Sequence, residues 1–177
     1  MARPRWLRRG KVQGLVLVGV IGSSVVPALL LARQSAPAEA FIAAPADVRE
    51  LLGRACNDCH SHETRVPWYA WVPPTSWLVA SDVYRAQRHL NLSKWQTRSL
   101  RRRFRRVQRL YDVLEGGDWK AHAFGPLPAT MPPKRYLALH REARLSPTER
   151  SRLIRWAYDE RARLGPWAEE RDQRAAR

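Results

Sequence analysis

The reactive side chains of this chain are concentrated in one run, Cys56-Asn57-Asp58-Cys59-His60. Both cysteines of the protein lie in it, with two residues between them and a histidine directly after the second. That order and spacing are those of a c-type haem attachment site. Two thiols on one helical turn can each add to a vinyl group on the same porphyrin edge, and the adjacent imidazole then faces the iron. A structural zinc site needs four ligands, ordinarily with a second Cys/His pair at a distance. No second cysteine pair exists, and His60 and His62 crowd the first pair too closely for a tetrahedron. A thioredoxin-like redox pair needs a βαβ setting, whereas the flanks here read as helix or loop.

Met131 is the next candidate. Apart from the initiator it is the only methionine, and it sits in a proline-stiffened loop over residues 125–133. A thioether opposite a histidine is a standard haem ligand pair and raises the reduction potential; the alternative is a methionine filling a gap in the core. His89, His122 and His140 are fallback ligands, while His62 is too near His60 to reach the far face. Residues 64–77 hold three prolines and four aromatics, a composition that predicts a rigid, non-helical loop. Two overlapping readings apply: a proline-stiffened core loop, or a haem wall in which Arg65 and aromatics such as Trp68 and Trp77 donate hydrogen bonds to the propionates. No Gly-rich phosphate loop, nucleophile elbow or paired-carboxylate site is present.

Helices must position these groups. From Asp47, the residues Val48, Leu51, Leu52 and Ala55 share one apolar face at helical spacing and lead straight into the motif. Ser76 or Ser81 is expected to open a second helix reaching about Leu90. Ser93 is expected to cap a longer one that runs to Leu114 and stops at Gly116-Gly117. In that helix Leu100, Phe104, Val107, Tyr111 and Leu114 form one stripe, with Arg98, Arg102, Arg105 and Arg109 opposite. Ser146-Pro147-Thr148-Glu149 reads as a capping box with proline at the first helical position. Leu153, Trp156, Ala157 and the stem of Glu160 follow the helical period, and Gly165 is expected to end the helix. Packing of this helix across the one at 47–55 completes the expectation.

The 177 residues suffice for one domain plus a targeting segment. A formal net charge of +16 and a pI near 11.3 require a strongly basic surface, suited to nucleic acid, anionic lipid or an acidic protein. With both cysteines in the motif, no disulfide framework is available. Residues 1–11 form a basic start, and residues 12–32 are apolar over a length that, at ~1.5 Å per residue, matches a hydrocarbon core of ~30 Å. The basic flank places the N-terminus in the cytoplasm and the rest outside. The run exceeds a signal h-region of ~7–15 residues and so favours an uncleaved anchor, while Ala38-Glu39-Ala40 supplies a competing cleavage site. Residues 33–44 read as a linker, 45–165 as a haem c-binding domain and 166–177 as a charged tail. An arginine-rich span over 98–109 invites a nucleic-acid reading, against which an exported location argues. A solvated face, or one that docks anionic lipid or an acidic redox partner, is preferred.

The succession Cys56 to Arg65, Pro67-Trp68-Tyr69, Pro74-Thr75-Ser76-Trp77-Leu78-Val79, Arg88 to Ser93 with Trp95, Met131-Pro132-Pro133 with Tyr136, Leu139-His140, Leu145-Ser146 and Glu149-Arg150 resembles the bacterial haem-binding domain family of small monohaem cytochrome c-type proteins. It covers about residues 45–160. His62 departs from the small residue or asparagine such families commonly carry there. The resemblance implies a mostly α, cytochrome c-like haem domain behind an N-terminal anchor or signal segment, with one covalent haem c held by Cys56, Cys59 and His60. It points to Met131 as the distal ligand. The expected role is electron transfer between redox partners at the inner membrane, with the haem domain facing the periplasm. Two other classes stay open: a haem-based ligand sensor or peroxidase-like enzyme with an open sixth position, and a non-haem basic interaction module.

Overall fold

A computed structural model describes residues 5–33, 41–116 and 131–175. Among these residues the chain is helical and forms no strand. Its α-helices are α1 (Arg5–Ala32), α2 (Ala46–Ala55), α3 (Asn57–His60), α4 (Thr75–His89), α5 (Leu100–Leu114), α6 (Lys134–Leu139) and α7 (Pro147–Ala175). Short 3-10 turns stand at Trp68–Trp71, Leu92–Lys94 and Arg141–Ala143.

The core is built by α2, α5 and α7. Val48, Leu51, Leu52 and Ala55 are the buried residues of α2, as its 3.6-residue period requires. They join Val107 and Leu114 of α5, Leu153, Trp156, Ala157 and Leu164 of α7, and Leu92 and Trp95 between helices. Leu100, Phe104 and Tyr111 pack against this cluster, so the stripe expected on α5 is its inward face. Helix α7 lies along α5 and crosses α2. Two ion pairs span the contact: Arg152 holds Asp47 at 2.5 and 3.1 Å, and Arg54 holds Glu149.

The ends of these helices follow local chemistry in part. The Ser146 N–H donates to Glu149 Oε2 at 2.8 Å, and the Glu149 N–H donates to Ser146 Oγ at 3.2 Å, which is the reciprocal capping box. Gly116, at φ +85°, takes the left-handed position that closes α5. Three expectations are corrected. Ser93 does not open α5, because its hydroxyl is taken by the His62 N–H; the helix starts at Leu100. Gly165 does not end α7, which continues to Ala175. A glycine stops a helix by turning left-handed, and Gly165 does not; it lies against Phe104, 3.8 Å from where a Cβ would sit, behind the buried Leu164. The span 64–77 is not wholly non-helical, since it holds the turn Trp68–Trp71 and the start of α4 at Thr75.

Helix α1 packs on α4 and on the Trp68–Trp71 turn. Its Ala28 and Leu31 are buried, while Val12, Leu15, Val16 and Val18 are exposed. Among the described residues no helix is long and apolar enough to cross a membrane.

Candidate haem site

Helix α2 ends at Ala55 because Cys56 leaves the helical region at φ −127°, although its N–H still reaches the Leu52 carbonyl at 2.9 Å. The chain then makes one new turn. Cys59 and His60 both donate their N–H to the Cys56 carbonyl, at 3.2 and 2.8 Å. The two sulfurs and the imidazole therefore share a single turn anchored to the core helix. Both thiols are free, and burial pushes each up to about 12. No group of three or more His, Cys, Asp and Glu able to hold a metal ion occurs among the described residues.

His60 Nδ1 lies 3.0 Å from the Leu90 carbonyl. A carbonyl only accepts, so Nδ1 carries the proton and the Nε2 lone pair is left for a metal. Burial lowers the His60 pKa and favours this neutral form. The segment that supplies Leu90 also grips the residues after the histidine. Gln87 Nε2 donates to the Ser61 carbonyl at 2.7 Å, the His62 N–H donates to Ser93 Oγ at 2.9 Å, and the Asn91 amide meets His62 Nε2 at 3.0 Å. Ser61 and Ser93 are buried, so these bonds form away from water. His62, the departure noted in the sequence, is thus held by Asn91.

Asp58, between the two cysteines, is buried and accepts from a second set of partners. Arg65 donates its N–H at 3.2 Å, Nε at 3.1 Å and Nη2 at 3.2 Å, and the Tyr136 hydroxyl donates at 2.8 Å. Tyr136 stacks on His140, with centroids 4.1 Å apart and planes within 11°. The His140 ring continues the network, with Nε2 2.7 Å from the Tyr69 hydroxyl and Nδ1 3.0 Å from Glu142. Burial and then the Asp58 bond push the Tyr136 hydroxyl well above its ordinary value; burial raises that of Tyr69 as well.

Cys56, Cys59 and His60 are together, as their spacing requires. Arg65 is spent on Asp58, and its side chain is otherwise 69% exposed. Trp68 is 78% exposed and meets Tyr69 edge-on, while the Trp77 N–H donates to the Ser23 carbonyl at 3.0 Å. Met131 is partly buried, and its carbonyl accepts from Arg150 at 3.3 Å. Tyr136, five residues further on, ties that segment to the motif. His89 ends α4, His140 is engaged as above, and His122 with most of the 125–133 loop lies outside the described residues. The contact between Asp58 and Tyr136 and the roles of Gln87, Asn91 and Ser93 carry no sequence pattern of their own. A carboxylate inside a buried motif was the available signal, because such a charge needs partners.

The donor set fits an iron porphyrin: one imidazole with an orienting carbonyl and two free thiols on the same turn. Over 134 residues, 73% of this chain, the sequence is 25% identical to the cytochrome c peroxidase Ccp of Escherichia coli (strain K12). The matched stretch is 27% of that protein, so the chain spans well under two thirds of its length. No solved structure matches the chain. Residues 26–159 match the profile of the haem-binding domain family. That match takes in α2 to α6, the first part of α7 and the motif with the residues that hold it, and the chain belongs to the haem-binding domain family.

Proposed function

We propose that this protein is an exported, membrane-tethered monohaem c-type cytochrome that carries electrons between redox partners. The observation that carries the reading is the turn on which Cys56 and Cys59 flank His60, whose Nδ1 is bonded to Leu90 and whose Nε2 is thereby available. In this reading Cys56 and Cys59 hold one haem c through thioether bonds, with His60 as proximal and Met131 as distal ligand. The haem supplies a one-electron couple. The chain orients the imidazole through Leu90, keeps the sulfurs half-buried on the same turn and positions the Met131 segment through Tyr136 and Arg150. Arg65 stands on the segment after the motif as a candidate wall residue, whereas Trp68 is exposed and the Trp77 N–H is held by the Ser23 carbonyl. The exposed Arg102, Arg105 and Arg109 of α5 offer a docking face for an acidic redox partner. Residues 1–32 act as the anchor or signal that places the domain on the periplasmic side of the inner membrane.

A second reading, a peroxidase-like enzyme, is favoured by the partial likeness to a cytochrome c peroxidase. The family assignment leaves little ground for a non-haem interaction module. Expression with haem-maturation machinery, followed by intact-mass and visible spectra, tests the principal reading. A covalent haem increment and a Soret band are expected, and a colourless protein of unmodified mass would end it. Met131→Ala discriminates between the readings. For a Met131-ligated carrier, the native reduced protein binds carbon monoxide weakly and the variant binds it strongly. Equal, strong binding by both favours the enzyme.

A further inference from the structure

We propose that the aromatic face formed by Trp68, Trp71 and Val72 with Trp77 and Leu78 of α4 is a lipid-interface surface. The haem domain is then seated on the outer leaflet rather than suspended from a free linker. The inference rests on the membrane tether proposed above. Trp68 is 78% exposed, and the other four side chains are 37–49% exposed. Clustered exposed apolar groups mark an interaction site.

The patch is continuous with α1. The Trp77 N–H is bonded to the Ser23 carbonyl, and α1 packs on both elements that carry the patch. Away from its buried Ala28 and Leu31, α1 exposes Val26, Leu29 and Leu30, and further back Val12, Leu15, Val16 and Val18. No acidic residue interrupts α1. Ser23 stands near the middle of the apolar run, so the following residues to Ala32, about 13 Å of helix, lie beside the domain. If lipid covers the apolar side of α1 over that length, it must also meet the adjoining tryptophans. A protein partner would have to cover the helix and the patch at once, whereas a bilayer does so by default. Tryptophan, with an apolar body and one N–H, is the residue favoured at the headgroup boundary. Two turns beyond Trp77 and Leu78 on the same side of α4 come Tyr84 and Arg85, and a turn further Arg88, a basic end suited to anionic headgroups.

The test uses the full-length haem-loaded protein in phosphatidylcholine/phosphatidylglycerol vesicles that contain a phospholipid with a diazirine near the glycerol end of one acyl chain. After irradiation, tryptic peptides are mapped by mass spectrometry. Cleavage yields residues 66–85 as one peptide holding the whole patch, 12–33 as a reporter of the tether, and 110–120 as the soluble-side reference. Label on 66–85 about tenfold or more above that on 110–120 is expected for interfacial side chains. Label on 12–33 with 66–85 at the reference level would overturn the surface and leave the tether standing. Label on neither would overturn both. Label on 66–85 without 12–33 would support the surface and remove the tether.

Discussion

Replacement of Asp58 by Asn tests whether the carboxylate between the cysteines holds the site together. The substitution keeps the shape, removes the charge and leaves one oxygen to serve four donors. The Arg65 contribution is small, because its side chain is 69% exposed and such pairs give only about 0–1 kcal/mol. The Tyr136 hydroxyl is half-buried against an acceptor 12% exposed, and a hydrogen bond to a charged group is worth about 1.5–3 kcal/mol there. The combined loss is about 2–3 kcal/mol, which for a chain of this size lowers Tm by roughly 4–12 °C. Thermal unfolding of the haem-loaded protein, followed at 222 nm and in the Soret band, measures it. Tyr136→Phe removes that one bond and should cost about 1.5–3 kcal/mol. The double variant should fall short of the sum of the two, since both changes delete the same contact. Additive losses, or an Asp58→Asn protein as stable as the parent, would refute the idea that this contact ties the Met131 segment to the motif.

Two further outcomes are expected. Ser146→Ala opens the capping box of α7 and should cost about 1 kcal/mol in calorimetry, whereas Ser146→Asp should retain most of the stability. The bond from Arg152 holds the Asp47 carboxyl below its ordinary 3.8, and the Ser146 N–H holds Glu149 below 4.5. Depressed folded values mean that these groups stabilise above their unfolded pKa and lose that contribution as pH falls through the lower folded values. Tm should therefore drop below about pH 4, and an Asp47→Asn/Glu149→Gln variant should show a shallower acid limb in a calorimetric series.

What could be read from the sequence was short-range. The stripe Val48, Leu51, Leu52, Ala55 and the Ser146/Glu149 box each fit within a few turns of one helix, so spacing alone determines them. The haem motif is legible for the same reason. Ser93 and Gly165 misled because their local preferences were overridden by partners far along the chain, His62 for one and Phe104 for the other. Asp58 and Tyr136 are 78 residues apart and Tyr69 and His140 are 71 apart. No periodicity links such pairs; only the fold brings them together.

The two sides of the motif are secured by different parts of the chain. The segment 87–93 fixes His60 and the residues after it, whereas Tyr136 and Arg65 fix Asp58. A five-residue turn has too few contacts of its own to hold an imidazole and two sulfurs in register, so the geometry of the site depends on the packing of the helices. The charge of α5 does the opposite. Arg102, Arg105, Arg106 and Arg109 repeat at helical neighbour spacing, where each like-charge pair costs about 0.2–0.5 kcal/mol. Burial, then the neighbouring Arg109, lowers Arg106 to about 10. Burying Val107 and Leu114 on the inner face gives back about 1.5–3 kcal/mol each, which outweighs the repulsion. The positive face is therefore a cost that folding tolerates, and under the proposed function its use lies in association. At a screening length of about 8 Å such a face would act on an acidic partner only at close range, so docking and electron delivery by the proposed carrier should slow as salt rises.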